Sequence, residues 1–162
     1  MVYKLKKMSE VSHLFEGWHE TMIYSCLQGV MGYIYVTDTE NPKSAAASAG
    51  CFIFYAGEPD RKLLEDKPEG FVIMVPQNEA WAMLIEKCFP DARRVTRYAI
   101  KKDTEFNREA LQRNIKELPT GYELARIDAR LYDKCLANPF SVDFVSAFGS
   151  KDNFLKLGRG MV

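Results

Sequence analysis

The sequence lacks several features that mark secreted, membrane-spanning or metal-binding proteins. No apolar run is long enough to cross a bilayer, and the first ten residues, MVYKLKKMSE, lack the apolar core of a signal peptide. Only two histidines are present, His13 and His19, and their spacing does not bring them to one helical face. Neither has an acidic or cysteine partner at ligand spacing. We therefore expect a cytoplasmic protein with no membrane partner and no metal site.

Paired cysteines and an excess of charge of one sign are also missing. The four cysteines stand far apart with no CxxC pair, which favours separate core thiols over a disulfide framework or a zinc site. They are Cys26, Cys51, Cys88 and Cys135. The formal net charge is zero, so electrostatics does not favour a nucleic-acid partner. The basic segment RRVTRYAIKK, from Arg93, is interpreted as a half-exposed strand with solvated charges.

What is present predicts a globular chain of mixed α/β class. The hydrophobic content of 47% exceeds what disordered chains carry, and 162 residues suffice for one domain, or for a small domain and part of another. Periodicity and turn signals predict a fixed order of elements over residues 1–102. They are a helix over 9–28, strands over 32–39 and 45–55, a helix over 61–65, a strand in GFVIMVP from Gly70, a helix from Asn78 to Pro90 and a strand over 93–100.

After residue 102 a polar stretch, 103–120, is expected to connect this unit to a second one. The connector contains a predicted helix over 106–118. The second unit, 121–162, is predicted to contain a strand over 122–128 and helices over 129–136, 142–148 and 152–157. The ending GRGMV indicates a turn that leads into a strand. We expect a truncated second unit; the alternative is that these residues pack onto the first unit.

The segment NEAWAMLIEKCFPDARRVTRYAI, residues 78–100, resembles a helix and strand of the GCN5-related N-acetyltransferase (GNAT) superfamily. The matching positions are Asn78, Glu79, Leu84, Glu86 and Lys87. Ile85 stands where the family often has a tyrosine that protonates the departing thiolate of CoA, and Phe89-Pro90 replaces a Gly-Phe pair. Isoleucine has no proton to donate, so the resemblance implies that this helix has lost its acid.

The same superfamily holds the pyrophosphate of CoA with Arg/Gln-x-x-Gly-x-Gly/Ala, between a strand and a helix. Its expected place here reads AGEPDRKLLE, with one glycine, Gly57. Pro59 lacks an amide proton, and the carboxylates of Glu58 and Asp60 would repel a phosphate. The resemblance therefore implies a degenerate acetyltransferase-like domain over 1–102, with no catalytic and no cofactor-binding residue. With Glu65 and Asp66, the acids Glu58 and Asp60 are interpreted as a solvated acidic loop.

The second unit resembles the opening of an acetyltransferase domain. The run NPFSVDFVSAFGSKDNFLKLGRG is similar to a bacterial subgroup known as zwittermicin-resistance-like acetyltransferases. In related enzymes this region lines the acceptor side of the cleft, so Phe140, Phe144 and Phe148 are candidate substrate-binding residues. Phenylalanines at this helical spacing are more often plain core.

The resemblance implies an N-terminal part of an acetyl-CoA-dependent N-acetyltransferase that acts on an amine of a small molecule or peptide. Acetyl-CoA is then the cofactor of the whole protein, and its binding motif is absent from these residues. A homodimer is a further expectation. The alternative is a non-catalytic acetyltransferase-like module that binds a ligand or a partner. Any antibiotic-resistance role rests on family analogy alone.

Overall fold

The structure is a computed structural model that describes residues 1–5, 8–98 and 105–162. In this part of the chain five strands form one sheet in the order β1-β2-β3-β4-β5. The strands are β1 Tyr3–Lys4, β2 Tyr33–Val36, β3 Ser44–Ala49, β4 Phe52–Gly57 and β5 Ile73–Pro76. Neighbours from β1 to β4 are antiparallel, and β4 and β5 are parallel. The fold is thus of mixed α+β class, as predicted.

Seven α-helices lie in the described residues. They are α1 Thr21–Leu27, α2 Arg61–Glu65, α3 Glu79–Cys88, α4 Arg108–Lys116, α5 Ala129–Ala137, α6 Val142–Ser146 and α7 Lys151–Leu157. Several begin with a side-chain cap: the carbonyl oxygen of the Asn78 side chain accepts from the Trp81 amide at 3.1 Å, and the Asp128 carboxylate accepts from the Leu131 amide at 2.8 Å. Such caps satisfy amides that have no partner within the helix.

Alternation along β4 gives the sheet two packed faces. Phe54 and Ala56 point to the face covered by α1 and the turns before it, where Phe54 meets Trp18 edge to face at 5.7 Å. Ile53 and Tyr55 point to the opposite face, which α2 and α3 cover. One strand therefore contributes to two apolar clusters.

A third apolar cluster holds the second unit together. Its buried members lie on α5, α6, α7 and the segment before α5; they are Ile127, Tyr132, Cys135, Val145 and Phe154. Met161 forms an antiparallel bridge with Arg126, and the amides of Ala125 and Val162 each donate to the carbonyl of the other, at 2.8 and 2.9 Å. The predicted strand over 122–128 is thus reduced to a bridge.

The predicted helix over 9–28 is wrong as one continuous element. Residues 8–10 and 12–15 form short 3-10 turns, and the α-helix begins only at Thr21. Gly17 has φ +75°, which lies outside the helical region and ends the first stretch. The apolar spacing was real, since Val11, Phe15 and Ile23 all lie in one buried cluster.

The predicted strand over 45–55 is two strands joined by a tight turn. Ala49 pairs with Phe52 across Gly50 and Cys51, which closes a two-residue hairpin. Gly50 has φ +58°, and a residue with positive φ at the first turn position suits such hairpins. The run AAASAG contains no Asn-Gly or Asp-Gly pair, so the sequence pattern predicts one continuous strand instead of a hairpin.

The predicted strand over 93–100 is also wrong for the residues that the structure describes. Residues 93–98 form neither helix nor strand, and positions 99 and 100 lie outside the described residues. The guanidinium of Arg94 pairs with Glu79 at 3.0 Å and with Glu86 at 2.9 Å on α3, and Arg97 pairs with Glu20 at 2.7 Å. These ion pairs connect the segment to α3 and to Glu20, the residue before α1.

The cysteine prediction holds in part. All four are free thiols; Cys26 and Cys135 are buried, but Cys51 lies exposed in the hairpin turn and is not a core thiol. Burial raises the pKa of the Cys26 thiol to about 11. Across 1–5, 8–98 and 105–162, no group of three His, Cys, Asp or Glu side chains is arranged for a metal ion. No helix in those ranges is long and apolar enough to cross a membrane.

We predict that Gly32→Ala destabilises the fold by about 3 kcal/mol, against about 1 kcal/mol for Gly50→Ala. Both glycines have positive φ, but a Cβ at Gly32 would overlap the carbonyl oxygen of Ser48, whereas none of the described atoms lies within 4 Å of a Cβ at Gly50. Urea unfolding followed by tryptophan fluorescence measures both losses. Equal losses would show that the contact with β3 contributes nothing.

Candidate functional site

The loop after β4 is the place where the family resemblance predicts a phosphate cradle. Three of its amides already have partners within the chain. The Gly57 amide donates to the side-chain carbonyl oxygen of Gln77 at 2.9 Å, and the Glu58 amide donates to the carbonyl of Lys43 at 2.9 Å. The Lys62 amide donates to Asp60 at 2.8 Å, and Pro59 has no amide proton. These amides are not available to a phosphate group.

Gln77 ties three parts of the first unit together at this point. Its backbone amide donates to the carbonyl of Tyr55 at 3.0 Å, which extends the β4–β5 pairing beyond Pro76. Its side-chain amide nitrogen donates to the carbonyl of Leu14 at 2.6 Å, while its side-chain oxygen accepts from Gly57. A single half-buried side chain therefore joins β4, β5 and the turn at residues 12–15.

Trp81 forms a hydrogen bond with the carbonyl group of Gly57. Its indole N–H donates to the carbonyl of Gly57 at 2.9 Å, and its ring stacks on Tyr55 at 5.1 Å between centroids. Gly57 has φ +78°, and a Cβ there would overlap the carbonyl of Lys43. The loop is thus fixed in one conformation that only glycine fits.

Ile85, at the position of the family's tyrosine acid, lies one turn along α3 from Trp81. Its side chain is 7% exposed and belongs to the apolar cluster with Leu63, Leu64 and Tyr55. The position is therefore a core position in this chain, and it offers no proton for acid catalysis.

A cavity of about 140 Å³ adjoins this cluster on the same face of the sheet. Its polar lining residues are Tyr35, Ser48, Tyr55, Asp66 and Lys67. Tyr55 is fully buried, and its hydroxyl is the one buried side-chain polar atom without a hydrogen-bond partner among the described residues. Burial raises the pKa of the Tyr55 hydroxyl above its usual value, and the carboxylate of Asp66 raises it further.

The two charged residues at the rim of this cavity, Asp66 and Lys67, differ in the contacts that they make. In the described chain Asp66 forms no ion pair. Burial raises the pKa of the Tyr35 hydroxyl, and the charges of Tyr33 and Asp66 raise it further. The ammonium of Lys67 lies 3.4 Å from the carbonyl oxygen of Pro68 and 5.4 Å from the centre of the Phe89 ring. Lys67 thus has neighbours of its own, whereas Asp66 is solvent-exposed and forms no ion pair among the described residues.

The three phenylalanines predicted to bind substrate lie in different surroundings. Phe140 is 86% exposed and Phe144 is 69% exposed, whereas Phe148 packs edge to face on Phe154 at 5.1 Å. A second cavity, of about 290 Å³, lies beside Ile127 and Phe154, but none of the three lines it. The structure therefore does not bring them into one pocket, and their role stays a prediction.

Sequence reasoning missed Gln77 and the cavity with its tyrosines. The register places Tyr35 opposite Ala46, and Ala46 opposite Tyr55. A small residue between two tyrosines leaves room above the sheet. Tyr35 in β2 and Tyr55 in β4, with small residues in β3 between them, were the available signal. To use it requires the strand register, which the hydrophobic pattern alone does not give.

We predict that Gln77→Ala lowers the free energy of unfolding by about 2 kcal/mol, because it leaves the Gly57 amide and the Leu14 carbonyl without partners. Gln112→Ala on the exposed side of α4 is the matched control and should change stability by less than about 0.5 kcal/mol. Chemical denaturation of both variants tests this. A Gln77 variant as stable as the control would rule out the junction as a stabilising element.

Comparison with known proteins assigns the chain to a family. The family model described as GNAT acetyltransferase matches residues 12–162. No curated protein matches the chain in sequence. A solved structure from Streptococcus suis 89/1591, described as a GCN5-related N-acetyltransferase-like protein, is 44% identical with a TM-score of 0.83. The alignment covers 96% of this chain and 64% of that one, so this chain spans less than two thirds of that protein's length. The chain belongs to the GNAT acetyltransferase family.

Proposed function

We propose that this chain is the N-terminal part of an acetyl-CoA-dependent N-acetyltransferase that acetylates an amine of a small molecule or peptide. The observation that carries the proposal is the family match over residues 12–162, which includes both units of the chain. The likeness to a longer acetyltransferase-like protein over 96% of this chain supports it. The zwittermicin-resistance-like subgroup, a bacterial source and a cytoplasmic location are finer parts of the same proposal.

The proposed division has a degenerate domain over 1–102, a connector over 103–120 and the start of a catalytic domain over 121–162. The loop after β4 supports the first part, because the amides of Gly57 and Glu58 are paired within the chain and Glu58 and Asp60 add negative charge. These residues do not fit the pyrophosphate of acetyl-CoA. Within the proposal, the groups that hold the cofactor lie outside the first domain, which acts as a scaffold.

The second unit supports the last part of the division by the order of its elements. The segment 125–127, three helices and the pair Met161–Val162 follow one another, with the two extended pieces antiparallel. This is the order expected for the opening of an acetyltransferase domain. The exposed rings of Phe140 and Phe144 would then face the acceptor, with Phe148 supporting them from the third cluster.

The proposal names a small-molecule amine as partner and a homodimer as assembly, with no role for nucleic acid or membrane. A non-catalytic module that binds a ligand or a partner is the second candidate. It is favoured by one observation, the pairing of the loop amides after β4, because a domain without a phosphate cradle does not need acetyl-CoA at all.

We expect no micromolar binding of acetyl-CoA to the 162-residue chain in isothermal titration calorimetry, because the cradle amides are engaged. A clear saturable isotherm with the chain would overturn the claim that its first domain is degenerate.

The catalytic half of the proposal needs the natural protein, with its intact mass measured. We expect that protein to release CoA thiol from acetyl-CoA when supplied with a panel of small amines and peptides, read with a thiol-reactive dye. If its mass equals that of the 162-residue chain and no amine releases thiol, the non-catalytic candidate replaces the enzyme.

A further inference from the structure

The cavity above β3 arises from a row of three side chains across the sheet. Tyr35 on β2, Ala46 on β3 and Tyr55 on β4 are direct neighbours in the register and point to the same face. The methyl group of Ala46 leaves a gap between two phenol rings. Leu63 of α2 and the loop at Asp66 close the gap from above.

One residue that lines this cavity carries an unsatisfied polar atom. The Tyr55 hydroxyl is buried and has no hydrogen-bond partner among the described residues, although the Tyr55 ring is held firmly by stacking on Trp81. A buried hydroxyl without a partner is unfavourable, so a native fold that keeps one calls for an explanation. The cavity that Tyr55 lines gives a ligand access to this side chain.

The charge at the cavity selects between ligand classes. Asp66 is unmatched by an ion pair in the described chain, whereas the Lys67 ammonium has the Phe89 ring and the Pro68 carbonyl as neighbours. An anion would meet the Asp66 carboxylate and would gain only from a lysine that is already engaged.

We propose that this cavity binds a small primary ammonium ion, which donates a hydrogen bond to the Tyr55 hydroxyl and balances the charge of Asp66. The pKa of the Tyr55 hydroxyl is raised, so the phenol stays neutral and accepts through its oxygen lone pairs. Ser48, which also lines the cavity, offers a second hydroxyl acceptor.

The size of the cavity limits the ligand. Its volume of about 140 Å³ equals that of about five water molecules, which suits an ammonium group with two or three carbon atoms. A longer amine would place only its terminal ammonium inside. This inference does not depend on the proposed function, because neither acetyl-CoA nor an acetyl-transfer step enters it.

The test is a titration of the ¹⁵N-labelled chain with ethylammonium chloride, followed by amide chemical shifts. We expect saturable shifts at Ala46, Ser48, Tyr55 and Asp66 that potassium chloride at equal ionic strength does not produce. Tyr55→Phe keeps the ring and should weaken binding about tenfold, as loss of a hydrogen bond to a charged group does. Asp66→Asn should weaken it by a similar factor.

Two control variants and one further ligand make the outcome decisive. Tyr98→Phe and Asp91→Asn change exposed residues that do not line the cavity and should leave the binding curve unchanged. Tyr55→Phe removes a hydroxyl that has no partner, so its melting temperature should not fall, and weaker binding then does not reflect unfolding. Absence of saturable shifts, equal binding of tetramethylammonium, which has no N–H, or unchanged binding by Tyr55→Phe would each overturn the proposal.

Discussion

The first unit depends on how the end of β4 is held at Gly57. Its amide meets the Gln77 side chain and its carbonyl meets the indole of Trp81, so strand β5 and helix α3 are positioned by the two hydrogen-bonding groups of one residue. Gln77 adds a third connection to the carbonyl of Leu14, on the side of the sheet that α1 covers. The two faces of the sheet therefore meet at one small polar junction.

The hydrogen bonds at this junction also limit phosphate binding by the loop after β4. A backbone amide that donates to a side chain or to another strand is lost to a phosphate group, since each amide carries one proton. In this loop the partners are Gln77 and Lys43, and Pro59 supplies no amide. The bonds that fix Gly57 and Glu58 therefore leave these two amides unable to bind an anion.

The parts of the fold that were predicted correctly from the sequence are those set by local chemistry. Helix α3 follows from Asn78 as cap and from the spacing of Trp81 and Ile85, all within ten residues. The alternation of residues 93–98 predicts a strand, but the segment is outside the sheet. Arg94 and Arg97 form ion pairs with Glu79 and Glu20 instead. Such partners lie too far along the chain for a periodic pattern to reveal them.

The candidate cavity could not be predicted for a related reason, and its origin lies in the small residues of β3. On one face of that strand Ala45 and Ala47 allow α1 to pack closely; on the other, Ala46 leaves a gap between Tyr35 and Tyr55. Close packing of one helix and an open space opposite are thus two consequences of the same run of alanines. A larger residue at position 46 would fill the gap and would leave Tyr55 without a route to any ligand, while the face that packs α1 would be unchanged. Alternate residues of β3 face opposite sides of the sheet, so a substitution can change one side without changing the other. For this reason a cavity can lie on one face of β3 while the other face packs against the main core.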